Sequence, residues 1–258
     1  MSHVSNAAIV LRRREYGDFD LILTVLTEDH GVRTLIAKSA KKSTKRFPGI
    51  LEPFAGLHIV YRQGRANGMA VLEEATLERA LGEVRSDVIK TAYASYWSEL
   101  VALWLEDGQA RPDIYRLLAF VLEALAEGKL SDAVLSLLFQ MRFIGQEGLQ
   151  PVLERCTCCQ TAVEALGQQR FCVDLERGGV VCSSCPSPED SRLHVTKGTL
   201  KQLLWLASGD LKQAMRVRFA AHVMQEATAF LEAFVPYHIG RIPKSLAFLR
   251  QIRGGLKA

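Results

Sequence analysis

The cysteines of the chain lie in one stretch, and four of them have the spacing of a metal site. Cys156 and Cys159 form one CxxC pair, and Cys182 and Cys185 form a second. Each CxxC turn can direct two sulfurs at one ion, and two such turns complete the tetrahedral thiolate shell that Zn²⁺ favours. We therefore predict one structural Zn²⁺ on these four residues. Four thiolates leave no position for a reactive water, so this metal would not activate a nucleophile.

The other two cysteines, Cys158 and Cys172, are interpreted as small hydrophobic residues. Two alternatives stay open, in which Cys158 replaces a neighbouring ligand or His194 joins the shell. A redox role for a CxxC pair requires a thioredoxin-like βαβ context, and neither pair has one. Apolar residues at 171–173 and 178–181 predict a β-hairpin that brings the second pair onto the first.

Positive charge is concentrated in two segments, although the formal net charge is only +4. The segment from His30 to Leu51 and the segment after Glu232 contain basic residues but no acidic ones. Clusters of this kind attract polyanions, and the alternative is a pair of solvated surface faces. The first segment holds the residues that we predict to contact nucleic acid: Arg33, Lys38, Lys41, Lys42, Lys45 and Arg46.

Most of these cations stand in one loop, at 38–49, directly after a predicted strand. Small polar residues separate the cations, so the loop can follow a phosphate backbone and release its counterions. Phe47 and Tyr61 could offer faces on which unpaired bases stack, with the protein core as the alternative for each. A small β-barrel with a basic loop and aromatic residues is how OB-folds hold single strands.

The elements that must position these residues change character near residue 80. Before it, short runs of branched and alternating residues predict the strands of a small barrel or sandwich. These runs are Ala8–Arg12, Leu21–Thr27, Val32–Ala37, Leu57–Tyr61 and Met69–Leu72. After it, apolar residues at i, i+3 and i+4 predict helices. The predicted helices run from Ser86 towards Gly108, Pro112 to Gly128, Ser131 to Gly148, Thr196 to Gly209, Lys212 to Val235 and Ser245 to Arg253.

These patterns predict an α+β multi-domain protein. We expect an N-terminal OB-fold β-barrel over residues 1–80, followed by an α-helical domain over 81–150 and 193–258. The four-cysteine zinc module, at 151–192, is predicted to be inserted in that helical domain.

Motifs of covalent chemistry are absent from the sequence. There is no GxxxxGK[ST] phosphate loop, no HExxH and no GxSxG, and no histidine starts the His-x-Glu of the zinc deaminases. Asp18 and Asp20 are interpreted as turn residues. We predict a protein that is not an enzyme. Without a signal peptide or an apolar run of about 20 residues, it is expected in the cytoplasm.

Taken in order, these features resemble the RecO family of bacterial recombinational repair. The resemblance covers nearly the whole chain. It is carried by Ala8 to Leu11, Tyr16-Gly17 and Asp20, Leu26-Thr27 to Gly31, Ala37 to Lys42, Gly49, Leu51 and Pro53-Phe54, Arg142 within Phe139 to Phe143, the CxxC pairs with Gly178-Gly179, and Lys244-Ser245. The chain departs from the family at Ser39, where glycine is usual, which affects the expected geometry of the loop.

The resemblance implies an N-terminal OB-fold, a helical domain and a zinc module. It implies binding of single- and double-stranded DNA and annealing of complementary strands. It also implies work with RecR, and in many bacteria RecF, to help RecA displace single-strand-binding protein from DNA. Arg142 would take the acidic, aromatic-rich C-terminal tail of that protein, with neighbouring apolar side chains holding the tail's phenyl ring. An intramolecular salt bridge is the alternative for this arginine.

Two other functions stay open on the residues alone. One is a zinc-containing RNA-binding or transcription-associated factor, in which the same barrel holds RNA. The other is a metalloenzyme acting on nucleic acid, against which a shell of four cysteines argues because it leaves no open metal position.

Overall fold

The computed structural model describes residues 3–64, 69–186, 193–208, 210–214, 216 and 218–255. The chain forms two compact units, one from residues 1–127 together with 243–258 and the other from residues 128–242. This division differs from the predicted domains, which joined all helices in one domain. None of the helices in the described part of the chain combines the length and apolar character that a bilayer-spanning helix needs.

The first unit begins with strands that close into a barrel in the order β1-β2-β3-β5-β4. The strands are β1 (His3–Tyr16), β2 (Asp20–Thr27), β3 (Gly31–Ala37), β4 (Gly56–Arg62) and β5 (Ala70–Arg79). All neighbours are antiparallel except β3 and β5, which are parallel. The predicted OB-fold barrel is thereby confirmed, and the sandwich alternative is excluded.

Alternating residues of each strand fill the barrel, as period-two patterning requires. Leu23, Leu35 and Leu57 are fully buried in this core. Tyr61 and Phe47 belong to the same core, with 0% and 3% of their surface exposed. Of the two possibilities left open for these aromatic side chains, placement in the core is confirmed and stacking is excluded, because closure of the barrel encloses both rings.

The turn between β2 and β3 accepts only glycine. Gly31 has φ +64°, and a Cβ added there would lie 1.9 Å from the carbonyl oxygen of Gln109. A side chain at this position would clash with the backbone at Gln109, so the turn and that backbone can lie this close only because residue 31 is glycine.

The helices of the first unit are α1 (Gly82–Ser86), α2 (Val88–Trp104), α3 (Pro112–Glu127) and α8 (Lys244–Gly255). Asp87 begins α2 as an N-cap by accepting hydrogen bonds from the backbone N–H groups of Ile89 (2.8 Å) and Lys90 (3.1 Å). The helix α8 packs against α2 although more than a hundred residues separate them in the chain.

The second unit surrounds a small mixed sheet with helices. Its elements are α4 (Asp132–Gln146), β6 (Val152–Cys156), β7 (Arg170–Asp174), β8 (Gly179–Val181), β9 (His194–Thr196), α5 (Lys197–Ala207), α6 (Leu211–Ala214) and α7 (Ala221–Ile239). The sheet has the order β6-β8-β7-β9. β7 and β8 form the predicted hairpin, and β9 extends the sheet beyond the predicted limit of the zinc module at residue 192.

The long helix predicted over 212–235 is wrong. The structure has the short α6 and then α7, which begins only after Ala220 in extended conformation. The sequence between them alternates apolar and basic residues from Met215 to Phe219, a period of two that gives a helix no continuous apolar face.

Candidate metal centre and nucleic-acid interface

The four cysteines predicted to bind metal lie together in the second unit. The sulfur atoms of Cys156, Cys159, Cys182 and Cys185 all lie within 4.8 Å of one another. The Sγ atoms of Cys159 and Cys182 are 3.8 Å apart. That separation matches the edge, about 3.8 Å, of a tetrahedron with Zn–S bonds of about 2.3 Å. The arrangement is therefore one that can hold a metal ion, and its donors suit Zn²⁺.

The sheet brings the two CxxC turns together. Cys156 is the last residue of β6 and is paired with Val180 of the neighbouring strand β8. Cys182 is the first residue after β8. Gly179 makes this approach possible, because a Cβ there would lie 2.4 Å from the carbonyl oxygen of Val152. The first turn closes with a hydrogen bond from Gln160 N to Cys156 O, at 3.0 Å.

Backbone dipoles in the cluster favour the thiolate form of Cys156. Burial raises its pKa, but backbone N–H groups of Cys159, Cys182 and Cys158 outweigh burial and lower the pKa to about 6. Cys182 N lies 3.4 Å from the Cys156 sulfur. A thiolate is the form that binds metal, so these N–H groups prepare the site.

The remaining candidates lie outside this group of four. Cys158 is half-buried, and its sulfur accepts a hydrogen bond from the guanidinium of Arg177. Cys172 lies on β7, where it is paired across the sheet with His194 of β9. The cluster thus does not include the substitute ligands that the sequence left open.

The basic loop, residues 38–49, follows β3 in the first unit and is fastened to the hairpin between β1 and β2. Ser39 has the left-handed conformation, with φ 54° and ψ 27°, which glycine adopts most easily. Its backbone N–H donates to Oδ1 of Asp20 at 2.7 Å. The departure at this position thus retains a glycine-like backbone. Asp20, interpreted from the sequence as a turn residue, begins β2 and holds the basic loop instead.

Most of the predicted cations lie on this loop and are exposed. Lys41 pairs with Glu15 at 2.7 Å, and its hydrogen bond is the main reason why the pKa of that carboxyl is lowered. Arg46 donates to the carbonyl oxygen of Lys38 at 2.7 Å. The side chains of Lys38 and Lys45 make no ion pair within the described residues. The loop therefore presents several cations to an anionic ligand.

Arg33 lies apart from this group. It stands on β3, where its guanidinium pairs with Asp107 at 3.2 Å. A cavity of about 460 Å³ lies instead against the loop itself. Its lining includes Arg13, Lys41, Ser43, Thr44 and Phe47.

Sequence reasoning missed two aromatic residues beside the loop. Tyr16 and Phe19 stand at the tip of the β1–β2 hairpin, with 54% and 41% of their surface exposed. The ammonium of Lys42 lies 3.3 Å from the centroid of the Phe19 ring. The signal was available in the sequence, since both residues flank Gly17-Asp18, a turn dipeptide.

Arg142 holds the C-terminal end of α5. Its Nε donates to the carbonyl oxygen of Leu206 at 2.6 Å, and Nη2 donates to that of Ser208 at 2.5 Å. The neighbours expected to hold the tail's phenyl ring are core residues: Phe139, Met141, Phe143 and Ile144. That expectation is wrong, because the helix turns them inward. An open hollow of about 360 Å³ lies next to Ser208 and is lined by Lys201, Leu204 and the exposed Trp205.

Two family models match this chain, one over the barrel and one over the residues that follow it. The family model "Recombination protein O N terminal" matches residues 1–81, and "Recombination protein O C terminal" matches residues 85–247. A "DNA repair protein RecO" of Desulfosudis oleivorans is 42% identical over 258 residues, which is 98% of this chain and 99% of that protein. Another, of Desulfatibacillum aliphaticivorans, is 41% identical over 259 residues, 98% of each chain. A third, of Anaeromyxobacter sp., is 32% identical over 252 residues. The chain therefore belongs to the RecO family of DNA repair proteins.

Proposed function

We propose that this chain is a recombination mediator that binds single- and double-stranded DNA and anneals complementary strands. In this proposal it acts with RecR, and with RecF where present, to load RecA onto DNA coated with single-strand-binding protein. The observation that carries the proposal is the basic loop on an OB-fold barrel in a family of DNA repair proteins. The cytoplasm, in association with the nucleoid, is the proposed location.

The loop suits a phosphate backbone for electrostatic reasons. Lys38 and Lys45 are exposed cations whose side chains make no ion pair within the described residues, so a phosphate does not compete with an internal carboxylate. Lys41 can exchange its exposed partner Glu15 for a phosphate. Each phosphate neutralised releases condensed counterions, so binding should be strong at low salt and independent of base sequence.

We further propose that the four-cysteine cluster binds one structural Zn²⁺ and that the chain catalyses no covalent reaction. The support is the donor set, since four thiolates fill a tetrahedral shell and leave no position for substrate or water. Bound there, Zn²⁺ would join the end of β6 to the end of β8.

The proposed partner tail, the acidic C-terminal tail of single-strand-binding protein, fits the hollow beside Ser208. Trp205 offers an exposed apolar face for an aromatic ring. Lys201 offers a cation at the wall, and a carboxylate of the tail would have to replace its partner Glu164, which lies 3.1 Å away, and bind beside Glu154. Arg142 does not line this hollow, but it binds the end of α5, the helix that carries Trp205. We therefore propose that Arg142 contributes to tail binding by positioning the residues of the hollow.

The experiment measures annealing of complementary strands coated with the cognate single-strand-binding protein, together with DNA affinity at several salt concentrations. The variant replaces Lys41, Lys42, Lys45 and Arg46 with glutamine. We expect annealing to be lost and the slope of log K against log salt to fall by about 3, from roughly 0.7 per phosphate contact.

The matched control removes the same formal charge from the C-terminal basic segment, at Arg241, Lys244, Arg250 and Arg253. Lys257, the last cation of that segment, lies outside the described residues. A slope that stays unchanged in the loop variant but falls in the control would place DNA binding on the C-terminal segment. Tighter binding to RNA than to single-stranded DNA of equal length would favour an RNA-binding factor instead.

A further inference from the structure

We propose that the tip of the β1–β2 hairpin is a stacking platform for unpaired bases, with the ring of Tyr16 as its main face. The ligand is a single strand of nucleic acid whose phosphates lie along the basic loop. This inference rests on the proposed function, since it requires that the loop bind a nucleic-acid backbone. It adds the side chain that distinguishes a single strand from a duplex.

The first observation is exposure. Tyr16 and Phe19 are among the large apolar side chains that the described structure leaves most open to solvent, while the barrel core is filled by other residues. The Tyr16 side chain makes no hydrogen bond, ion pair or ring contact within the described residues. The ring lies outside the barrel core, and about half of its surface is open to a ligand.

The second observation is that the hairpin tip and the basic loop form one surface. The backbone N–H of Lys41 donates to the carbonyl oxygen of Phe19 at 3.0 Å, and that of Ser39 donates to Asp20 at 2.7 Å. The Lys41 ammonium reaches Glu15, the residue before Tyr16. These contacts fix the aromatic rings relative to the cations, so a strand on the loop passes beside the tip.

The two rings have different surroundings. Lys42 places its ammonium 3.3 Å from the centre of the Phe19 ring and so covers one face of it. That contact holds a positive charge beside the aromatic tip. The more exposed Tyr16 ring has no such cover, so it offers the larger face to a base. The tip thus combines a flat apolar surface with a fixed cation, the combination that holds single strands.

Stacking distinguishes paired from unpaired bases. In a duplex both faces of an internal base are covered by its neighbours, whereas a single strand can turn a base onto a protein ring. The phosphates of both forms are equally able to contact lysine. The platform should therefore favour single strands, and its contribution should not depend on salt because no counterion is released.

The test compares Tyr16→Ala with Tyr16→Phe in the full chain. We expect Tyr16→Ala to weaken binding of a single strand about tenfold, to change duplex binding by less than about twofold, and to leave the salt slope unchanged. Tyr16→Phe should bind like the original protein because it keeps the ring. Tyr237→Ala is the matched control, since Tyr237 is 50% exposed on α7 in the second unit.

A strand carrying one fluorescent base gives a second readout, because stacking on an aromatic ring changes its emission. The emission change should persist in Tyr16→Phe and disappear in Tyr16→Ala. Equal losses on single strand and duplex, or no loss on either, would overturn the platform. If the loop variant loses DNA binding while Tyr16→Ala does not, only the platform fails. If the loop variant binds DNA normally, DNA does not lie along the basic loop, and the premise that the platform takes from the proposed function fails.

Discussion

At the residue scale, Arg142 donates hydrogen bonds to two backbone carbonyl groups, and in our proposal it serves the tail site without touching the tail. The guanidinium satisfies carbonyl groups at the end of α5, which otherwise lack partners within the helix. The exposed Trp205 lies in the same last turn. The position of that indole, and with it the hollow proposed for the partner tail, depends on the end of α5.

We expect Arg142→Ala to weaken binding of the tail peptide by on the order of 2 kcal/mol, the size of a hot-spot loss, because the end of α5 that carries Trp205 loses its support. Trp205→Ala should produce a similar loss without removing the support of α5, whereas binding of bare single-stranded DNA should stay within about twofold in both. Fluorescence anisotropy with a labelled tail peptide and with an oligonucleotide measures both. A normal affinity of Trp205→Ala for the peptide would remove the hollow as its site.

Residues with fixed spacing were the easiest to assign from the sequence. The two CxxC pairs led directly to the cluster, because a CxxC turn constrains its own geometry. Stacking and core placement both stayed open for Phe47 and Tyr61, because exposure depends on how the barrel closes, which strand patterns alone leave undecided. The exposure of Tyr16 could not be predicted from strand patterning, because Tyr16 ends β1 at the hairpin tip, beyond the alternating residues that fill the barrel.

At the element scale, a single carboxylate begins the last helix. Glu99 of α2 accepts the backbone N–H groups of Lys244 and Ser245, at 3.2 and 2.8 Å, and also the hydroxyl of Ser245. These are N–H groups that the first turn of a helix leaves unpaired. The negative charge also lies at the positive end of the helix dipole. The place of α8 on α2 is therefore fixed by a contact between distant parts of the chain.

We expect Glu99→Ala to lower the free energy of unfolding by about 1–2 kcal/mol, because the N-terminus of α8 loses its acceptor. Hydrogen exchange should become faster in α8 and stay unchanged in the barrel strands. The matched control is Glu106→Ala, which removes an exposed glutamate just after α2. Equal exchange rates of α8 in both variants would mean that apolar packing alone holds the helix.

Helices with a continuous apolar period were predictable as elements, and their partners were not. The segment at 88–104 has the expected pattern and forms α2. That pattern does not predict that α8 packs on α2, because an apolar stripe on a helix shows which face is buried and not which element covers it. The alternation from Met215 to Phe219 was a readable sign that the helix predicted over 212–235 breaks.

At the scale of the whole molecule, the four-cysteine cluster lies within one unit and the basic loop within the other. The barrel has its own apolar core, which contains none of the cysteines. Stability contributed by a metal should therefore appear mainly in the second unit, although structural zinc can provide about 10 kcal/mol or more of apparent binding energy in isolated peptides.

We expect one Zn²⁺ per chain, and we expect Cys182→Ala to lower the melting temperature without unfolding the barrel. Elemental analysis of protein purified without chelators measures the metal. Hydrogen exchange should locate the loss of protection in residues 128–242. Cys172→Ala serves as the control, since it removes a cysteine outside the cluster and should keep the metal. Absence of metal in the original protein would contradict the site.

The return of α8 to the first unit has a consequence for biosynthesis. A ribosome completes the whole second unit before it makes residues 244–255, which the first unit needs to cover α2. Chains usually fold their earlier parts first during translation. Here the barrel can close early, yet the α2 surface that receives α8 stays open until translation has passed the second unit. The α2 surface that receives α8 is thus the last part of the first unit to be covered as the chain is made.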